Sequence, residues 1–350
     1  MSAIKTWNFG IIGCGTVADF HIAAINQIEG ARLAAVSSRN ADKARAIAER
    51  EQCDWTSDYK TLIGRSDIDI VCLTTSSGSH ARIGLDVLNA GKHLIVEKPI
   101  AMNSADAALL VRTAKERGVK LSVISQRRFE AQHQAVKRVL EEGALGKLLL
   151  AEVSLPFYRS QAYYDSADWR GTLAEDGGAL MNQGIHSIDL LLWFAGEART
   201  VFGQVATQTH VMEAEDLGLA IIQFKSGAFG TIMASTSIQP GFPASLHLYG
   251  EKGTIKLEGT SIVHWTVPGR DEPKWIHSGA YGGVSDPRSI AADLHQSQLI
   301  DVLTAIETGV EPLVTGEDGL RAVQLVEMIY ASAAQGVRLT VGGSGQPDPR

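Results

Sequence analysis

A chain of 350 residues with 45% hydrophobic and 20% charged side chains is long enough for two packed cores and too apolar to stay disordered. Its formal net charge of −7 at pH 7 argues against a general nucleic-acid surface, and three well-separated cysteines, Cys14, Cys53 and Cys72, suit a reducing compartment better than a disulfide scaffold. No apolar run approaches membrane-spanning length and no leader precedes the first strand, so the sequence predicts a cytoplasmic protein handling small molecules, with neither nucleic acid nor membrane as partner.

Asn8 to Ile12 reads as a short buried strand, followed at once by Gly13-Cys14-Gly15-Thr16-Val17-Ala18 and a helix-period segment to about Ile28. GxGxxA between a strand and a helix is the setting in which this pattern marks a dinucleotide loop. The first glycine makes the tight turn, the second admits the pyrophosphate, and Ala18 lets helix and strand pack closely. Gly13, Gly15, Thr16 and Val17 are therefore expected at a cofactor. A second strand, Arg32 to Ser37, ends in Ser37-Ser38-Arg39, where a site for NAD would usually place Asp or Glu. With no carboxylate to repel a 2′-phosphate and Arg39 able to pair with one, Ser38 and Arg39 favour NADP over NAD.

Strand and helix keep alternating through Ala41–Glu51, Ile70–Thr74, His80–Ala90, His93–Val96, Ser104–Arg117 and Leu121–Ile124, the pattern of a doubly wound parallel sheet. Thr75, Ser76, Ser77 and His80 follow one strand and are expected beside the cofactor. Another strand breaks off into Glu97-Lys98-Pro99. Pro99 keeps Lys98 out of the helical region, so a cation is held extended at the edge where such sheets bind ligands. Glu97 and Lys98 are assigned to the cofactor edge, and a lysine held there can stabilise an alkoxide.

After a helix over Ala131 to Glu142 the pattern changes to strands joined by turns: Gly146–Pro156, Thr200–Thr209, Leu217–Phe224, Ala228–Ser235, Ser245–Tyr249 and Thr254–Leu257. A helix near Leu180–Phe194 interrupts them, and two more, about Ser289–Glu307 and Gly316–Gln335, follow. The expected organisation is a Rossmann domain over 1–128, an α+β domain with a large, mainly antiparallel sheet over 129–340, and a polar tail over 341–350. Asn182, His186 and Asp189 fall at i, i+4 and i+7 of the interrupting helix, one polar face on an otherwise apolar element. Spacing alone leaves open whether His186 serves a site or is a core histidine bonded to Asp189. Tyr158, Tyr163, Tyr164 and Trp169 precede it and offer packing for a sugar ring, while Arg127, Arg128 and Arg170 can bind carboxylate or phosphate. His210, Glu213, Glu215 and Asp216 read as a solvated connection, scattered by strand alternation, and not as a metal centre. No metal is expected.

Four stretches, GCGTVA at Gly13, TTSSGSH at Thr74 to His80, GKHLIVEKP at Gly91 and GGALMNQGIHSID at Gly177, together resemble the Gfo/Idh/MocA oxidoreductases, named for glucose-fructose oxidoreductase and inositol dehydrogenase. The resemblance covers nearly the whole chain. It implies an NAD(P)-dependent dehydrogenase or reductase of sugars or polyols, with Lys98 and His186 as the catalytic pair, Asn182 and Asp189 beside them, and a homo-oligomer, dimer or tetramer, formed through the antiparallel sheet. Inositol dehydrogenases carry Asp where this chain has Asn182. The MNQGIH wording and Trp169-Arg170-Gly171 look more like the nucleotide-sugar branch. The chemistry also suits the residues themselves: an imidazole ordinarily titrates near neutrality, so His186 is of the type that can take a hydroxyl proton, with Lys98 steadying the oxygen. Two other readings are a sensor that has lost catalysis, against which retention of both residues speaks, and a dihydrodiol-type reductase of non-sugar substrates.

Overall fold

The structure, a computed structural model, describes residues 5–274 and 292–340. The chain forms two compact units: one runs up to Gln126 and takes back the segment that ends at Leu320, and the other starts at Arg127 and resumes at Arg321.

In the first unit, β1 (Trp7–Ile12), α1 (Thr16–Asn26), β2 (Ala31–Ser37), α2 (Ala41–Glu51), β3 (Asp54–Thr56), α3 (Tyr59–Ile63), β4 (Ile70–Leu73), α4 (His80–Asn89), β5 (His93–Val96), α5 (Ser104–Arg117) and β6 (Leu121–Val123) alternate. Their six strands line up in the order β3-β2-β1-β4-β5-β6, the doubly wound order with its switch point between β1 and β4. β4 is buried at every position, as a strand covered on both faces must be. The sequence spells out the helix ends: Asn40 accepts from the Lys43 N–H at 3.1 Å, Asn103 from the Asp106 N–H at 2.8 Å, and Gly118 closes α5 at φ 66°. Register then fixes the working edge. Ile12 pairs with Leu73 and Leu73 with Val96, so Gly13, Thr74 and Glu97 leave the sheet side by side.

The domain assignment differs from the sequence reading at one long segment. α9 (Ala292–Thr308) belongs with the Rossmann unit, because Leu299, Val302 and Leu303 make an apolar stripe that joins Ile22, Ile25 and Phe9 in one core. Gln298, fully buried, fixes it by donating to the Val123 carbonyl at 2.8 Å and accepting from the Ser125 N–H at 3.1 Å. The expected start of that helix at Ser289 and the 341–350 tail lie outside the described residues.

The second unit holds α6 (Ala131–Glu141), β7 (Leu148–Pro156), α7 (Gln161–Tyr164), a π-helical turn (Ala179–Gly184), α8 (Ile185–Ala195), β8 (Ala198–Ala206), β9 (Leu217–Phe224), β10 (Phe229–Ser235), β11 (Ser245–Gly250), β12 (Thr254–Glu258) and β13 (Ser261–Thr266). α10 (Gly316–Gln335) contains the boundary between the units, and β14 (Leu339–Thr340) closes the described chain. The eight strands run in the order β13-β12-β11-β7-β10-β9-β8-β14, antiparallel except where β7 and β10 pair in parallel. One face packs inward through Val153, Ile222, Phe224 and Ile232, and α8 lies on β7. The other face leaves Phe202, Leu219, Ile221 and Phe229 exposed. No helix among the described residues is long and apolar enough to cross a membrane.

Candidate active site

In the first unit the β1–α1 turn is shaped for a ligand that approaches backbone. Gly13 has φ 109°, and a Cβ there would lie 2.6 Å from the Thr74 backbone, so only glycine fits. At Gly15 a Cβ would meet nothing within 4 Å. Gly15 is also the N-cap of α1 and supplies no side-chain acceptor, so the first-turn N–H groups and the positive end of the helix dipole face an open cradle. Those features fit a dinucleotide pyrophosphate. Thr16 and Val17 are exposed at the same end, Arg39 is exposed past β2, and the Ser38 hydroxyl accepts from the Asn40 N–H at 3.2 Å. Thr75, Ser76 and Ser77 form a half-buried loop after β4, with Ser79 donating to the Thr75 hydroxyl at 2.7 Å.

Two residues assigned to the cofactor are placed otherwise. The His80 ring is 1% exposed and lies between two carbonyls, Nδ1 at 2.8 Å from Pro99 and Nε2 at 3.1 Å from Thr75. Burial lowers its pKa although both carbonyls favour the charged ring, and a neutral ring can donate to only one of them. Glu97 is buried and turned to His21, whose Nε2 lies 2.9 Å from Glu97 Oε1. Burial disfavours the charge on each, but their pairing outweighs it, lowering the Glu97 pKa and raising that of His21, which the Cys72 sulfur also favours. His295 of α9 sits edge-on to His21 at 5.4 Å, and burial beside that ring lowers its pKa to about 4. Ligand atoms of His21, Glu97 and His295 all lie within 4.8 Å of one another, a spacing that could hold a metal ion. Lys98 itself is half-buried, its peptide bond to Pro99 is cis, and its N–H donates to Glu97 Oε2 at 3.3 Å.

In the second unit the GGALMNQGIH stretch begins with a close contact. A Cβ on Gly178 would lie 2.1 Å from the Glu215 carboxylate, which accepts from the Leu180 N–H at 2.8 Å and from the Tyr330 hydroxyl at 3.0 Å. The Glu215 carbonyl accepts from the Ala179 N–H at 2.8 Å, so this one residue anchors the start of the π turn. Burial pushes the Glu215 pKa up to about 7 despite those donors. Asp216 points the other way and is fully buried, accepting from the N–H groups of Gln208 and Thr209 at 2.8 and 2.9 Å and lying 2.9 Å from His210 Nδ1. The alternation expected for this run is there, but both faces are covered, so Glu215 and Asp216 are buried anchors and not a solvated connection.

The π turn carries Asn182 and delivers His186 in the first turn of α8, both half-buried. π turns are frequent at functional sites because they displace side chains from regular helical spacing. Asn182 donates its amide to Asp176, a 2% exposed carboxylate that also accepts from the Gly171 N–H at 2.8 Å. Asp189 is buried in a bidentate pair with Arg128, whose Nε lies 2.8 Å and Nη2 2.5 Å from its two oxygens. Arg128, expected to bind substrate, is thus an internal partner. Arg127 is likewise committed, to Glu130 at 2.9 Å and the Gly259 carbonyl at 2.8 Å. Arg170 stays near the surface, its guanidinium 4.3 Å from the Tyr163 ring centre and 4.6 Å from that of Trp169, and Tyr158 is half-buried nearby in sequence. Asp176, His21 and His295 were not singled out from sequence, and Glu215 was read only as part of a solvated connection. Asp176 had one signal, its place directly before the Gly177-Gly178 pair.

The family description "Oxidoreductase family, NAD-binding Rossmann fold" matches residues 7–125, and "GFO/IDH/MocA C-terminal domain" matches 133–256. The WlbA dehydrogenase of Bordetella pertussis, solved in complex with NADH and UDP-GlcNAcA, is 32% identical, with a TM-score of 0.87 over 97% of this chain and 100% of that one. Myo-inositol 2-dehydrogenase of Thermotoga maritima is 26% identical over 90% of this chain and 93% of its own length. A dTDP-3,4-didehydro-2,6-dideoxy-alpha-D-glucose 3-reductase of Streptomyces violaceoruber is 28% identical over 73% of each. Both units are thus matched, and the chain belongs to the GFO/IDH/MocA family, as an oxidoreductase with an NAD-binding Rossmann fold.

Proposed function

We propose that the protein oxidises or reduces a secondary alcohol or carbonyl on the sugar of a nucleotide-sugar. The observation that carries this reading is the register of the first unit, which sets the Gly13–Gly15 cradle and half-buried Lys98 on one sheet edge. Bound nicotinamide supplies the two-electron acceptor or donor. Lys98 holds the reacting oxygen and lowers the cost of its negative charge, worth roughly 3 kcal/mol. His186 takes the hydroxyl proton in oxidation and returns it in reduction, a task suited to an imidazole near neutral pH. Support for an anionic sugar comes from exposed Trp169 beside Arg170, and from the likeness to WlbA.

Two finer points belong to the same reading. The site takes NADP at least as well as NAD, because Ser38 and Arg39 bring no carboxylate to the ribose end. The chain assembles as a dimer or tetramer through its second sheet, where Phe202 pairs with Ile221 in register and both are exposed. The test is an absorbance screen at the reduced-nicotinamide band, with UDP- and dTDP-sugars, free sugars and inositol against both cofactors. Turnover confined to nucleotide-sugars supports the proposal; turnover on inositol or free sugars alone overturns the substrate class.

A further inference from the structure

We propose that His21 is a positioning residue for Lys98, acting through the Glu97 carboxylate. The proposal rests on the reading of Lys98 as the group at the reacting oxygen, but its geometry stands within the first unit alone. Glu97 uses its two oxygens in opposite directions. Oε1 meets His21 Nε2 at 2.9 Å and Oε2 accepts the Lys98 N–H at 3.3 Å. His21 is fully buried, Glu97 is 8% exposed, and a carboxylate so placed needs its partner to remain there. Without the imidazole the carboxylate must turn to solvent, where the Lys98 N–H loses its acceptor, or take up a proton, which leaves that N–H only a weaker, neutral acceptor.

The other side of Lys98 is held separately. His80, also buried, sits 2.8 Å from the Pro99 carbonyl, so two imidazoles from α1 and α4 fix the backbone on both flanks of the lysine. His21 lies on the helix that begins at the dinucleotide loop, one turn beyond Val17, and is thereby tied to the cradle as well as to the lysine. His295 sits edge-on to the His21 ring at 5.4 Å, and His21 is fully buried.

The experiment compares His21→Leu, which removes the donor, with His21→Gln, whose amide reaches about as far as Nε2. Should His21→Leu not fold, His21→Asn, too short to reach Glu97, takes its place. Hydrogen exchange followed by mass spectrometry reads the segment around Lys98, and kcat and cofactor Kd are measured with the substrate found by the screen. The expected result is exchange at that segment faster by at least about tenfold in His21→Leu, β1 unchanged, and kcat reduced while cofactor Kd holds within about twofold. His21→Gln should restore both. Exchange that stays at the wild-type rate, or rises equally across α1 and β1 in both variants, overturns the proposal in favour of core packing. Faster exchange with undiminished turnover instead overturns the role of Lys98 on which the proposal rests.

Discussion

In the proposed reading, cofactor choice turns on Arg39. It is exposed at the end of β2, beside Ser38 and with no carboxylate between Ser37 and Asn40. A guanidinium pairing with a 2′-phosphate there is worth roughly 1.5 to 3 kcal/mol, about tenfold to a hundredfold in affinity. Arg39→Ala should weaken NADP by that factor and leave NAD nearly unchanged in calorimetric titrations; equal weakening of both would remove the phosphate contact from the account. Glu215 makes a different prediction. Its folded pKa of about 7 lies above the ordinary 4.5, so between those values the unfolded chain has already lost a proton that the folded one keeps. Stability should therefore fall as pH rises through that window, by roughly 3 kcal/mol for this group. Glu215→Gln, neutral at every pH, should flatten the decline in Tm between pH 5 and 7.5, and a slope like that of wild type would contradict the assignment.

At the scale of elements, the π turn at Ala179–Gly184 is what sequence periodicity could not express. Asn182, His186 and Asp189 read as one polar face, yet Asp189 is buried against Arg128 while Asn182 lies in the π turn against Asp176. The turn depends on Gly178, whose conformation at φ −103° suits any residue but whose missing Cβ leaves room for Glu215. Gly178→Ala should cost about 1–3 kcal/mol as overpacking and lower kcat by displacing His186; an unchanged Tm and kcat would show that Glu215 yields. Strands and helices with caps and clear periodicity, such as β4 and α5, were legible because their signals are local. β3, β13 and β14 were not, being edge strands, two of them only 3 and 2 residues long and β13 without a buried position. That Arg127 and Arg128 have internal carboxylate partners was not legible for a related reason: a guanidinium looks the same in sequence whether it awaits a substrate or already has a buried carboxylate.

For the whole molecule, the sequence reading recovered the two kinds of sheet and the family, since motif spacing encodes them. It did not recover the return of α9 to the Rossmann core, because Leu299, Val302 and Leu303 say that a helix has an apolar face and not which core receives it. The exposed sheet face makes its own prediction. Light scattering after size exclusion should give a dimer or tetramer, and Ile221→Lys, at a position 57% exposed in the single chain, should shift it towards smaller species. A wild-type monomer would remove that surface from the account.

In the proposed reaction Lys98 acts on the oxygen whose carbon exchanges hydride with nicotinamide. This is tested most directly by single-turnover absorbance of reduced nicotinamide, with wild type and Lys98→Met mixed with saturating cofactor and the nucleotide-sugar substrate. The expected rate in Lys98→Met is at least about a hundredfold lower, with cofactor Kd close to wild type. A Lys98→Met rate near that of wild type would contradict it.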